Sequence, residues 1–372
     1  MIPDGGTPQS PNIFSTTENI AAGYGEFRWQ QGTKWNILAG LRIEHTHQSY
    51  DQTAVPENTL QDGKTGVADY YDLLPSIHMK YGFTTKSALH LSYYSSISRP
   101  GYFEVVPYQF PGEYYTETGN YNLHHTQAYN FDLRYEFFPG LADQLLIGAF
   151  YKIIDNPIEY VYDRPATSNS VIKPANIGTA VNLGAEIVYT KYFSKFGISA
   201  NYTYTHSRVS AEEKYYYILK SPSTGNDSTT TSSVTVHRPL QGQAAHVGNI
   251  SLLYKDAAKG TDLQLAAIYT GKHIVYASPY FGKDNPNDKG SGLDYWQRGN
   301  VVIDFSGEQK LNKHFSFYFK ITNLLNTKDI IDLRHSSKTL RSFAPLQETD
   351  DRILVDKKQY GQSYLIGIRA HL

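Results

Sequence analysis

Within residues 126–138 the chain sets Tyr129, Phe131, Leu133, Tyr135 and Phe137 against Asn130, Asp132, Arg134 and Glu136, one side chain at a time. A two-residue period marks a strand whose two faces meet different surroundings. The period returns along the chain. Trp35, Ile37, Ala39, Leu41 and Ile43 oppose Asn36, Arg42 and Glu44, and Phe196, Ile198, Ala200, Tyr202 and Tyr204 oppose Ser199, Asn201, Thr203 and Thr205. Val301, Ile303 and Phe305 oppose Asn300, Val302 and Asp304. The closing segment GQSYLIGIRAHL places Tyr364, Ile366, Ile368, Ala370 and Leu372 on one face. Ser363, Gly367, Arg369 and His371 lie on the other, which only Leu365 interrupts. The segment IAAGYGEFRW is ambiguous in phase.

The pattern predicts thirteen strands, near 19–30, 34–49, 69–81, 86–97, 126–138, 143–159, 177–191, 196–208, 241–256, 261–276, 297–306, 314–325 and 361–372. Short turns at 31–33, 82–85, 139–142, 192–195, 257–260 and 307–313 alternate with long loops at 50–68, 98–125, 160–176, 209–240, 277–296 and 326–360. A barrel crossing an outer membrane alternates short periplasmic turns with longer extracellular loops, whereas a soluble sandwich has no cause to. Arginine at mid-bilayer on a lipid-facing strand costs about 2–4 kcal/mol, so Arg134 and its neighbours face a wet interior. The 372 residues contain no run long and apolar enough for a helical span, and their 32 tyrosines suit the interfacial girdles of a barrel. The expected fold is all-β: an antiparallel up-and-down transmembrane meander forming one domain over 1–372, in the bacterial outer membrane.

Zero cysteines remove disulfides and thiolate chemistry, and a net charge of -1 leaves no nucleic-acid footprint. MIPDGGTPQSPNIF has neither the basic nor the apolar region of a signal peptide. With the C-terminus periplasmic, an odd strand count puts residues 1–18 outside the cell, yet bacterial barrels normally have even counts. Together these features predict an incomplete barrel, the C-terminal part of a longer protein.

Several segments resemble, in order, the large TonB-dependent outer-membrane receptors. They are SISRPGYFEVVPYQFPGEYYTETGNYNLHHTQAYNFDLRYEFFP (96–139), GAFYKIIDNPIEYVY (148–162), NIGTAVNLGAEIVYTKYF (176–193), FKITNLLNTKD (319–329) and the terminal twelve residues. The flavour is that of Bacteroidetes-type receptors. The resemblance implies a 22-stranded barrel that this chain enters at about the tenth strand, without the plug domain and early strands. It implies import of a scarce or bulky nutrient of the siderophore, glycan or peptide class. TonB would be contacted only through the plug, and outer-membrane lipid would surround the wall. It also implies that the barrel-assembly machinery reads Tyr364, Ile366, Ile368, Ala370 and Leu372, although Leu372 stands where the family usually has Phe. Two other classes stay open: a self-contained pore of about fourteen strands, and a structural or adhesive membrane module.

Candidate ligand contacts are the loop aromatics Tyr102, Phe103, Tyr108, Phe110, Tyr114 and Tyr115, which could instead pack their loop onto its neighbours. Inside the lumen the candidates are Arg42, Glu44, Arg134 and Glu136, within a set of charges completed by Asp132, Glu186, Asp304, Lys320 and Arg369. Those charges are expected to pair across neighbouring strands. Arg99-Pro100-Gly101 reads as a strand terminator, and Asn120 and Asn122 as turn residues. The tract SPSTGNDSTTTSSV (221–234), which follows Tyr215, Tyr216 and Tyr217, is expected to be a mobile loop. His45 with His47, and His124 with His125, could each offer two imidazoles, but no third ligand is visible and no metal is expected. No nucleophile–base set, phosphate loop or paired carboxylate stands out, so neither an enzymatic activity nor a cofactor is expected.

Overall fold

The computed structural model describes residues 12–52, 65–112, 115–163, 171–219, 228–277, 293–335, 347–349 and 352–370. Thirteen strands, each antiparallel to the next, run as one meander in sequence order. They are β1 (Phe14–Gln31), β2 (Trp35–Gln52), β3 (Thr65–Gly82), β4 (Ser87–Ser98), β5 (Thr126–Phe137), β6 (Gln144–Asp155) and β7 (Thr179–Phe193). Then come β8 (Phe196–Leu219), β9 (His246–Asp256), β10 (Thr261–Thr270), β11 (Asn300–Lys310), β12 (Phe315–Thr322) and β13 (Ser363–Ala370). The strand Ser228–Arg238 branches off by pairing with the far half of β8.

The register carries one apolar face across the whole sheet. Trp29, Ile37, Met79, Leu91, Leu133, Ala149, Ala185 and Tyr204 stand opposite one another in turn from β1 to β8. A second row joins Phe196, Tyr254, Leu263, Gly307, Phe319 and Ile366 through β13. The opposite face reads Asn36, Lys80, His90, Arg134, Gly148, Glu186 and Thr203 along one row. A one-residue slip anywhere would exchange the two faces, which is why the pattern fixes the register.

Aromatic rings mark both margins of the apolar face. Near the short turns Trp35 packs on Tyr81 at 4.7 Å, Tyr81 on Phe83 at 5.1 Å, and Phe196 on Tyr254 at 5.1 Å. Toward the loops Tyr93 meets Phe131 at 4.9 Å, and Tyr202 bonds His246 Nδ1 at 2.6 Å. On β8, Phe196 and Tyr204 stand eight residues apart, about 26 Å of strand at 3.3 Å per residue. That suits the apolar band of a membrane barrel. The turns are tight. Between β1 and β2, Gly32 sits at φ 55°, a left-handed conformation that costs glycine nothing.

Several boundaries differ from the sequence expectation. β1 begins at Phe14, β3 at Thr65, and β11 extends to Lys310, so the last short turn spans 311–314. β6 ends at Asp155, where Asn156 turns the chain at φ 52°, and β10 stops at Thr270. The presumed loop 209–240 contains the end of β8 and the strand Ser228–Arg238, so residues 228–234 of the polar tract are strand. Threonine is β-competent, and β8 offers those residues a backbone edge. Residues 221–227 lie outside the described residues. Two small sheets occupy the loop side. One joins Phe110–Pro111, Thr116–Glu117, Val171–Asn176 and Ile158–Asp163, and the other joins His273–Tyr276, Leu293–Gln297, Asp329–His335, Arg352–Lys358 and Gln347–Thr349. Among the described residues the only helix is α1 (Tyr102–Val105), and no helix is long and apolar enough to cross a membrane. β1 and β13 are each hydrogen-bonded to one neighbour and not to each other, so the described sheet is open.

Candidate functional site

The loop leaving β4 folds over the polar face. Arg99 donates to Thr46 Oγ1 at 3.0 Å and pairs with Glu44, which also takes Arg42 Nε at 2.5 Å. Gln48 and Gln52 donate to the carbonyls of Pro100 and Pro107, at 3.2 and 3.1 Å. Beneath this loop Glu44, Thr46, Gln48 and Gln52 are buried, and Tyr50, Val105, Val106 and Leu123 form an apolar plug. A carboxylate that is only 6% exposed needs its partners, and two guanidiniums supply them. Arg99 therefore does more than end a strand: it pins the loop to the wall.

Of the inward charges, Glu136 meets a neighbouring-strand partner as expected, whereas others pair within one strand or across an intervening one. Arg42 and Glu44 belong to one strand, two residues apart. Arg134 reaches Glu186 at 3.0 Å across the intervening strand β6, over Gly148. A Cβ at Gly148 would stand 2.8 Å from the Glu186 side chain, so a bare backbone is what lets the pair form. Glu136 lies 3.0 Å from His90 Nε2 on the neighbouring strand β4, and Arg369 bonds Glu308 at 2.6 Å across β12.

The loop aromatics divide. Tyr102 and Phe103 project from α1, and Phe103 sets its edge against Phe14 and Tyr108, at 5.8 and 5.7 Å. Phe110 is exposed. Tyr108 donates to Glu117 at 2.5 Å, and burial, with that carboxylate adding, pushes its hydroxyl pKa up. Tyr115 meets Tyr276 at 6.4 Å, and burial, with Tyr115 adding, pushes the Tyr276 hydroxyl up to about 12. Tyr114 lies outside the described residues. So part of the predicted platform packs and part stays open.

The histidines do not converge. His45 and His47 bracket Asp69 at 3.0 and 2.9 Å on the outward face. His125 stacks on Tyr70 at 4.0 Å and bonds Asp72, while the His124 backbone joins Asn176. Among the described residues no group of three or more His, Cys, Asp or Glu could hold a metal ion. Asn120 and Asn122 build the expected turn: the Asn122 N–H donates to Asn120 Oδ1 at 3.1 Å. Of the terminal strand, Tyr364, Ile366, Ile368 and Ala370 share the outward face, with Leu372 outside the described residues.

Sequence reasoning missed the clamp that joins the loops. Glu159, 2% exposed, accepts from Arg238 at 2.7 Å and from the Gln241 N–H at 2.6 Å, while Gln241 Oε1 takes the Tyr160 N–H at 2.7 Å. Arg298 grips buried Asp332 with two bonds of 2.7 and 2.8 Å. One signal was available: Arg238-Pro239 repeats the Arg99-Pro100 step at the end of a strand, and each arginine meets a buried glutamate.

A model of the outer membrane protein beta-barrel family matches residues 5–281. No curated protein matches the chain. Among solved structures, the siderophore receptor PiuA from Acinetobacter baumannii aligns with a TM-score of 0.62 at 15% identity, over 96% of this chain and 44% of the receptor. The ferric yersiniabactin uptake receptor FyuA from Yersinia pestis gives 0.60 at 13% identity, over 96% and 46%. The FrpB iron transporter from Neisseria meningitidis gives 0.57 at 13%, over 96% and 46%. These likenesses concern the fold, and the chain spans about half the length of each.

Proposed function

The chain belongs to the outer membrane protein beta-barrel family of the bacterial outer membrane, and from that premise we propose that it forms wall and outer vestibule of a TonB-dependent nutrient importer. The observation that carries this reading is a polar sheet face onto which the loop leaving β4 is pinned by Arg99 and Glu44. A wall built this way narrows the entrance and presents side chains to an incoming solute. Tyr102, Phe103 and Tyr114 would contact it at the mouth, with Tyr108 and Tyr115 packing the loop behind them, and Arg42, Arg134 and Glu136 would line the inner wall, where buried Glu44 holds the loop. The sheet's open edges support the larger-barrel reading, since unpaired backbone in hydrocarbon costs several kcal/mol per group. On this reading further strands complete the wall, and a plug domain fills it and contacts TonB. The nutrient belongs to the siderophore, glycan or peptide class, and no catalysis is involved.

The test is uptake. Deleting the gene should impair growth on one scarce nutrient, and deleting TonB should impair it to the same extent. A purified protein that opens a steady, regular conductance in planar bilayers, with growth unaffected by TonB, would establish the small-pore reading instead.

A further inference from the structure

β3 is paired on both sides only along part of its length. Its ladder to β2 runs from Thr65 to Tyr81, but its ladder to β4 runs only from Ser76 to Gly82. Proline sits at the break. The Gly82 N–H donates to Lys34 on the β2 side at 2.8 Å, and the Phe83 N–H to Ser87 on the β4 side at 3.0 Å. Alternation along an unbroken register therefore turns the odd-numbered residues toward β4, and Pro75 is the first of them past Ser76. It lacks the N–H that the next rung would need. Beyond it the N–H and C=O groups of Leu73, Tyr71, Asp69 and Val67 face away from β2, and among the described residues no strand meets them.

Of these four, Val67 and Asp69 line a slot of about 790 Å³. Five consecutive β3 residues, Gly66 to Tyr70, line it. Gln48, Ser49 and Tyr50 of the neighbouring strand β2 line it as well, so the slot runs over the loop-side end of the sheet beside the open β3 edge. The far wall holds Leu123, His124, His125 and Gln127. The slot lies beyond the lipid band, level with His45, His47 and Asp69, where water is present and an open edge is tolerated. Its charged lining is acidic, from Asp69 and Asp155, with no Lys or Arg among the described lining residues.

We propose that this edge of β3 binds an extended, cationic peptide by strand addition, the peptide taking the place that β4 vacates at Pro75. Backbone bonds supply the affinity and the acidic lining the charge preference. The proposal rests on the importer reading only for the side of the membrane that the slot faces. It goes beyond that reading by naming the ligand chemistry and the mode of capture.

The test uses protein extracted whole from outer membranes and an octapeptide of alternating Lys and Thr. Binding should vanish when every peptide amide is methylated, and should weaken at least tenfold when Lys is replaced by Glu. Val67→Pro removes one slot-facing donor without touching the β2 ladder, and should weaken binding about tenfold, the worth of one hydrogen bond. Val67→Thr should not. Pro75→Val restores the missing donor, should lengthen the β3–β4 ladder, and should also lower affinity, in a variant expected to fold at least as well. Amide exchange at Val67, Asp69 and Tyr71 should be fast alone and slowed by the peptide. Equal binding of the methylated peptide, or protection of these amides without any peptide, would overturn the proposal. Binding is read here without transport, so failure of the importer reading and failure of this one are told apart.

Discussion

The turn-side and loop-side halves of this molecule are held together by different physics. Near the short turns every rung is backbone pairing between sequence neighbours, with the apolar face carried unbroken from Trp29 to Ile366. On the loop side the ladder opens at Pro75 and β8 changes partner from β9 to Ser228–Arg238. Buried ion pairs join segments far apart in sequence there, Arg238 to Glu159 and Arg298 to Asp332. In the first half the solvent dictates structure, because hydrocarbon lies outside and water inside. In the second, water is on every side and particular side chains decide.

The largest expected effect separates the halves directly. Glu159→Ala removes the carboxylate that holds the buried Arg238 guanidinium, a loss of about 3–5 kcal/mol. Trypsin added to intact cells should cut the loop side faster, while the heat-modifiable folded band stays. If the folded band is lost as well, the two halves are one cooperative unit and the contrast fails.

The next effect lies within the turn-side half. Leu133→Arg puts a charge on lipid at about 2–4 kcal/mol and should reduce the folded protein in outer-membrane fractions. Arg134→Gln, one residue along and inward, should leave assembly intact and at most alter permeation. Equal tolerance would mean that the two faces do not meet different solvents.

The smallest effect sharpens what turns contribute. Asp143, in the turn between β5 and β6, accepts from Lys191 at 2.5 Å and from the Tyr192 N–H at 3.1 Å, and the Lys191 ammonium holds its carboxyl below the usual range. A depressed folded-state pKa contributes stability above the unfolded value of about 3.9, and that contribution disappears as pH falls through the folded value. Asp143→Asn should therefore flatten the loss of folded band below pH 4 and change little at pH 7. An unchanged acid profile would assign the turn's stability to its backbone alone.

This contrast also explains what was legible in the chain. The thirteen membrane strands and their order could be read because a lipid face writes itself into sequence every second residue, as at Tyr129 to Phe137. Strand ends on the loop side could not, since Thr65–Ala68 and Ser228–Arg238 have no hydrocarbon to fix their pattern. The inward residues Arg42, Glu44, Arg134 and Glu136 were visible as polar positions, yet their partners were not. Nothing in sequence says that Arg134 will pass over Gly148 to Glu186, or that Arg99 will cross to β2. Glu159 and Asp332 were invisible for the same reason: burial by loops follows from tertiary contact, not from period.

The central claim is that one register-defined face of this sheet meets lipid and the other meets water. Because the chain contains no cysteine, single cysteines can be placed in turn at positions 129 to 137 of the full-length protein in outer membranes and spin-labelled. Collision with oxygen, which concentrates in hydrocarbon, should peak at 129, 131, 133, 135 and 137. Collision with a water-soluble nickel chelate should peak at 130, 132, 134 and 136. A flat profile, or the same alternation with the two reagents exchanged, would contradict the account.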